Sequence, residues 1–181
     1  MTARDGGITA CALPANALLE AYRATGYADC YTTSIGRDVS HAEYVEAFYT
    51  TLPFRLERLI LKLGVARPST DAGVRALANG TADAFAAWHV EARAPGQLLL
   101  CDFQRRTRSW LMVASEGSVS APETRLYFGS AVVPPRRAAA GPSSMGLVFG
   151  SLLGFHKLYS RILLRAARRR LAAQPDRSPP R

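Results

Sequence analysis

Apolar residues along this chain change their period near residue 84. Before it they mostly recur three and four apart, the spacing of a helix face; after it they alternate, as strands with two unlike faces do. Residues 1–12 carry no period and read as a flexible leader. Pro14 suits the first turn of a helix, with Leu18, Leu19 and Tyr22 on its apolar side and Gly26 at its end. The run 28-ADCYTTSIG-36 is rich in β-branched and aromatic residues and closes on glycine, which predicts a strand. A capping box follows at 40-SHAE-43, where the serine oxygen takes an orphan amide and Glu43 reaches back to the cap. Tyr44, Phe48 and Leu52 continue at helical spacing. Pro53 then breaks the helix and starts another, with Leu56, Leu59, Ile60 and Leu63 inward and Gly64 at its end. A short third helix runs from Ser69 to Asn79-Gly80.

Four strand candidates come next: AFAAWHVEAR, QLLLCDFQ, RSWLMVAS and TRLYFGSAVV. Pro95-Gly96 is the clearest turn between them. A two-residue loop there pairs Trp88 with Phe103, His89 with Asp102, Val90 with Cys101 and Glu91 with Leu100. One face of this hairpin would carry Trp88, Val90, Leu99, Cys101 and Phe103, and the other His89, Glu91, Asp102 and Gln104.

After a loop at 134-PPRRAAAGPSS-144, a long helix spans 146-GLVFGSLLGFHKLYSRILLRAARRR-170. At about 100° per residue, Val148, Leu152, Phe155, Tyr159, Ile162 and Ala166 fall within about 40° of one line and predict a stripe packed on the sheet. Gly146, Gly150 and Gly154 form a row on the other side, continued by Lys157, Arg161, Arg165 and Arg168. Three helical glycines cost roughly 1 kcal/mol each against alanine, so something must approach them. The earlier helices, a second copy of the chain in a homodimer, and a membrane interface are the three options.

The order is a strand, two or three helices, an antiparallel run and a terminal helix. It predicts an α+β fold in which a curved antiparallel sheet wraps a long C-terminal helix, the helix-grip architecture, with a cavity between them. Residues 13–173 would form this one domain, followed by a disordered tail at 174–181. The stretches 28-ADCYTTSIG-36, 88-WHVEARAPGQLLL-100, 123-ETRLYFGSAVVP-134 and 155-FHKLYSRILLRAARR-169 resemble a bacterial domain family of unassigned function. That family groups with START and Bet v 1-like helix-grip proteins. The resemblance covers roughly residues 27–170, carried by loose hydrophobic patterning, and implies that fold class and the binding of small apolar molecules.

Composition narrows the function classes. The chain has 181 residues, 48% hydrophobic and 20% charged, which fits one globular domain. Its net charge of +9 suggests nucleic acid until it is located. Lys157, Arg161, Arg165, Arg168, Arg169, Arg170, Arg177 and Arg181 stand against Asp176 alone, so residues 157–181 hold +7 of it. Nucleic-acid binding is disfavoured, because the basic run lacks interleaved aromatics and cations complement a helix C-terminus. Three scattered cysteines without a CxxC offer no metal site, and no cofactor motif is present. The N-terminus lacks a signal-peptide pattern and no apolar run is long enough to span a bilayer, so a cytoplasmic protein is expected.

Candidate chemistry is sparse. His89, Glu91 and Asp102 would meet across the hairpin, either as an acid–base set or as a solvated ion pair. His156 either faces the cavity or is a hydrogen-bonded structural residue. Trp88, Phe103, Trp110, Tyr127, Phe155 and Tyr159 would line the cavity or fill the core. Ser34, Ser109 and Ser130 have no base attached by any motif. A small hydrophobic ligand in the cavity is the leading expectation. A module binding an anionic membrane or a protein partner through the terminal helix is second, and a cyclase- or hydratase-type enzyme third.

Overall fold

The computed structural model of the chain describes residues 7–24, 27–55, 70–133 and 145–174, with side chains described from residue 156 in the last segment. Seven strands form one antiparallel sheet: β1 (Thr9–Ala10), β2 (Tyr27–Ile35), β3 (Ala84–Phe85), β4 (Trp88–Ala94), β5 (Gln97–Asp102), β6 (Thr107–Ser118) and β7 (Ala121–Val132). Their order is β1-β2-β7-β6-β5-β4-β3. The chain leaves β2 and carries the helices α1 (His41–Tyr49) and α2 (Asp71–Ala78) between that strand and the far edge. It then meanders back through β3 to β7 until β7 closes on β2. The C-terminal helix α3 (Met145–Ala172) packs on β2, β7 and α1. This is the α+β, helix-grip arrangement that the sequence predicts.

Local signals explain most of the element ends. Ser40 accepts from the Glu43 amide at 3.2 Å while its own amide donates to Glu43 Oε2 at 2.8 Å, completing the capping box of α1. Thr70 caps α2 through the Gly73 amide at 3.1 Å. The helix predicted after Pro53, with Leu56, Leu59, Ile60 and Leu63, lies mostly outside the described residues. Gly96 takes φ +68° in the Pro95-Gly96 turn. AFAAWHVEAR is not one strand: Ala86 adopts φ +53°, and the chain folds back so that β3 and β4 pair as a hairpin.

The β4–β5 register departs from the predicted one. Near the turn Ala94 faces Gln97 and Arg93 faces Leu98 as expected, but a bulge at Glu91 shifts the pairing by one residue. Trp88 is therefore opposite Asp102 and His89 opposite Cys101. Because side chains alternate at every residue, a one-residue slip exchanges the faces of the two strands' partners. Trp88 and Val90 now join Leu98 and Leu100 on the inner face.

That inner face carries Leu98, Leu100, Leu111, Leu126 and Phe128. They pack on Tyr44 and Phe48 of α1, Val74 and Leu77 of α2, and Leu163, Leu164, Ala167 and Leu171 of α3. The outer face holds a second, smaller core of Cys30, Leu99, Trp110, Met112 and Ala131, covered by Ala17 and Leu19 of the N-terminal segment. Residues 9–11 are bound there rather than loose: Thr9 and Ala10 pair with β2, and the Cys11 amide donates to the Cys30 carbonyl at 3.0 Å. The helix predicted from Pro14 is reduced to a five-residue 3-10 turn, Leu18–Tyr22. Gln97 pins it: Oε1 accepts from Trp110 Nε1 at 2.9 Å and from the Leu18 amide at 3.0 Å, and Nε2 donates to the Asn16 carbonyl at 3.0 Å.

The helix stripe is rotated from its predicted line. Ser160, Leu163, Leu164, Ala167 and Leu171 are buried, whereas Ile162 is 43% exposed and Ala166 half-buried. The basic side chains account for the rotation by lying along β2 instead of pointing away from it. Arg161 stacks over the Tyr31 ring at 5.5 Å, and Arg168 Nε donates to the Ser34 carbonyl at 3.0 Å. Their guanidinium groups find partners on β2, which a purely apolar stripe does not foresee.

Candidate functional site

A cavity of about 290 Å³ opens between the inner face of the sheet and α3. Rings from three directions wall it: Phe48 from α1, Trp88 and Phe128 from the sheet, and Tyr159 from α3. Phe54 and Leu163 add to this wall, and Phe103 sits at the rim, 39% exposed.

The polar end of the cavity is built around Ser130. The inner-facing positions of β2 and β7 are mostly large and apolar, yet the directly paired Asp29 and Ser130 interrupt that pattern on adjacent strands. Ser130 Oγ donates to Asp29 Oδ1 at 2.5 Å and lies 2.6 Å from His156 Nε2 on α3. The hydroxyl has one hydrogen, and with it committed to Asp29 the contact to His156 requires Nε2–H to donate to Oγ. Tyr27 OH donates to Asp29 Oδ2 at 3.1 Å and its ring stands edge-on to the imidazole, 6.5 Å between centroids. Burial first, and the Asp29 charge second, push the Tyr27 hydroxyl well above the ordinary tyrosine range. The same two causes in the same order push Tyr31 up to about 12. Both phenols therefore stay protonated and can act as donors. A second polar pair, Tyr49 OH and Ser109 Oγ at 3.0 Å, joins α1 to β6 beside the cavity.

Serine is the middle member of the Asp29–Ser130–His156 chain. A nucleophilic serine needs the imidazole to accept its proton; here the imidazole donates to it. The arrangement can hold a polar group and pass a proton along a line of donors and acceptors, and it is not a hydrolase triad.

The sequence-derived candidates divide. Trp88, Phe103, Asp102, Tyr159 and His156 all line the cavity. Trp110 and Tyr127 do not: they belong to the outer core, their rings 6.2 Å apart. Their strand positions are opposite in parity to the inner-facing Ser109 and Phe128. The acid–base set of His89, Glu91 and Asp102 is not assembled. His89 is exposed on the outer side of β4. Glu91, displaced by the bulge, accepts from Arg108 Nε at 3.0 Å and from Tyr22 OH, with the Arg108 guanidinium over the Tyr22 ring. Asp102 caps the β5–β6 turn, Oδ1 accepting from the Arg106 amide at 2.6 Å and the Thr107 amide at 2.9 Å. Phe155 and the glycine row Gly146, Gly150 and Gly154 lie outside the residues whose side chains are described. Asp29 was missed by sequence reasoning, and Ser130 has its partners after all. The available signal was weak: Asp29 is a carboxylate at an inward position of β2, while Ser130 shares its kind of position on β7 with the equally buried Thr124.

No protein-family profile matches the chain, and no curated protein matches it. Among solved structures the chain is similar to CalU16 from Micromonospora echinospora, at 13% identity over 93% of this chain and 94% of that one, with a TM-score of 0.29. It is also similar to the di-domain ARO/CYC BexL from the BE-7585A biosynthetic pathway, at 11% identity over 82% of this chain, with a TM-score of 0.27. The chain spans about half of BexL, 51% of its length.

Proposed function

We propose that the chain binds a small, largely apolar molecule with one polar end in the cavity between sheet and α3. The observation that carries this is an aromatic wall that meets Ser130 and His156, with Asp29 bonded behind Ser130; Asp102, Thr107, Arg108 and Ser109 add further polar lining. Ligand pockets have this composition, mostly apolar with a few placed polar groups. At about 290 Å³ the cavity is at the small end of the roughly 300–1,000 Å³ such sites occupy, which suits a molecule of one or two rings or a short acyl chain. Catalysis would require proton transfer through His156, and the geometry supports holding a ligand more directly than turning it over.

The test is paired titration with 1-naphthol and naphthalene, followed by indole fluorescence quenching of Trp88 in a Trp110→Phe background. Saturable quenching by both, tighter for 1-naphthol, is expected, with His156→Ala removing the preference. Absence of saturable quenching by either probe would sink the proposal. Native mass spectrometry of the purified protein gives an independent view of any co-purified ligand.

The exposed side of α3 favours a second reading. Ile162 and the 80%-exposed Leu52 flank a groove with Arg165, Arg169 and Arg170. Such a surface would suit an anionic membrane or an acidic partner; flotation with phosphatidylserine vesicles, lost on Arg169→Glu with Arg170→Glu, tests it. Among the described residues no helix is long and apolar enough to cross a membrane.

A further inference from the structure

Cys11 and Cys30 stand one position beyond the short β1–β2 ladder, in which Thr9 pairs with Thr32 and Ala10 with Tyr31. Their Sγ atoms are 3.2 Å apart, and both are free thiols. Directly opposed residues of an antiparallel pair have Cα atoms about 4.5–5.5 Å apart, within the roughly 4.4–6.8 Å a disulfide spans. Joining these sulfurs thus asks for side-chain rotation and not for backbone movement. Cys101 is differently placed, its thiol donating to the Asp102 carbonyl at 3.4 Å.

The two thiols are unequal. Cys11 is half-buried and Cys30 buried. The hydrogen bond with Cys30 holds the Cys11 thiol below the ordinary range, against the pull of burial, and Arg125 acts in the same direction as the bond. That same hydrogen bond is the largest cause pushing Cys30 upward, followed by burial and by the charge on Cys11. The thiolate therefore forms on the more accessible sulfur, the condition for exchange chemistry.

The geometry points to a thiol–disulfide exchange site, in which Cys11 and Cys30 react with a low-molecular-weight disulfide such as glutathione disulfide and close into a cross-strand bridge that fastens the N-terminal segment to the outer face. In the first step the Cys11 thiolate bonds to one glutathione sulfur, the glutathione S–S bond breaks and one glutathione thiolate leaves. With the Cys11 sulfur in a mixed disulfide, its charge no longer raises Cys30. Cys30 then loses its proton, its sulfur bonds to Cys11 Sγ, and the second glutathione leaves. Two protein thiols are oxidised, one glutathione disulfide is reduced to two thiols, and the protons from the cysteines end on glutathione.

The consequence is structural. The bridge closes the chain from Cys11 to Cys30 around the 3-10 turn whose Leu19 packs with Trp110 in the outer core. Oxidation would hold this cover in place, and reduction would leave it to Gln97 and the β1–β2 pairing.

The experiment exposes the native, full-length protein to glutathione disulfide and follows it by intact-mass and peptide mass spectrometry. The wild type is expected to lose two hydrogens, retain no glutathione and yield a peptide linked through Cys11 and Cys30. Cys30→Ala should retain glutathione on Cys11, because nothing resolves the adduct. Cys11→Ala should react roughly tenfold or more slowly, its remaining outer-face thiol being buried. The oxidised wild type should melt several degrees higher, a shift reversed by dithiothreitol. A wild type that keeps glutathione, reacts first at Cys101 or does not react overturns the proposal. An unchanged melting temperature in a protein that has formed the bridge overturns the claim that it fastens the segment.

Discussion

Ser130 Oγ lies 2.6 Å from His156 Nε2, so a single hydroxyl on β7 meets the C-terminal helix at the head of the cavity. The same oxygen reaches Asp29 on the neighbouring strand, and Tyr27 reaches Asp29 from its other side. Ser160 then returns from the helix, its hydroxyl donating to the His156 carbonyl at 2.9 Å. In a low-dielectric setting such a network is strong while complete and costly when one member is lost. It fixes the rotation of α3 over the sheet as well as the polar end of the site.

Replacing His156 with alanine should therefore act on both. Ser130 Oγ would lose one of its two side-chain partners, and stability should fall by about 1–3 kcal/mol. Urea denaturation followed by circular dichroism measures this. Affinity for a hydroxylated aromatic probe should fall together with it, while affinity for the unsubstituted hydrocarbon should hold. Equal loss for both probes would mean that the helix has merely moved.

At Gly129 the N-terminal cover and the outer face of the sheet approach closely. A Cβ there would stand 2.7 Å from Leu19 Cδ2, 2.9 Å from Trp110 Cε3 and 3.0 Å from the Asp29 carbonyl oxygen. The leucine end can swing aside, but the indole and the backbone oxygen are fixed by their own bonds. Gly129→Ala should cost about 1–3 kcal/mol by overpacking. A Leu19→Ala background should recover only part of that loss, since it relieves one contact of three; full recovery would show that the indole and carbonyl give way easily.

Much of this was legible in the sequence, and the losses have identifiable causes. The capping box at Ser40 and Glu43 and the Pro95-Gly96 turn are local devices, complete within four residues, and both stand where they were read. The strands from Gln97 onward kept their alternation and were found nearly whole. The β4–β5 register failed because a bulge at Glu91 depends on partners outside the hairpin, Arg108 and Tyr22. The helix stripe lies off the line that apolar spacing predicts because Arg161 and Arg168 find their partners on β2. Asp29, Ser130 and His156 were not read as a site because they are brought together only by the closure of β7 on β2 and the return of α3. His156 could be singled out by residue type; its partners could not.

Gln97 gives a prediction of a different kind, because a buried amide serves three partners at once. It is 5% exposed and ties Trp110, Leu18 and Asn16 together. Gln97→Met keeps the volume but removes the acceptor and the donor. Trp110 Nε1 would be left in an apolar core without a partner, and the N-terminal segment would lose two of its anchors. A loss of about 3 kcal/mol is expected. Hydrogen exchange at the Leu18 amide should accelerate beyond what the global loss explains, and unchanged local protection would contradict the pinning role.

His41 predicts how stability depends on pH. It is the first residue of α1, where the helix dipole disfavours a cation. Burial holds its imidazole below the ordinary histidine range; a hydrogen bond with the Leu111 backbone opposes this, and Arg93 on β4 adds to it. Its Nε2 is buried with no hydrogen-bond partner among the described residues, so a proton there would have no acceptor. In the unfolded chain the same group takes up its proton near pH 6.5. Below that pH, and down to the lower folded value, the unfolded state binds more protons than the native state. Stability is therefore fully present above about pH 6.5 and declines as acid is added, by at most roughly 1.4 kcal/mol per pH unit for this one group. Urea midpoints at about pH 7.5 and about pH 5.5, compared between the wild type and His41→Gln, isolate the contribution. The variant should lose less stability between the two pH values, and an equal loss in both proteins would remove His41 as the cause.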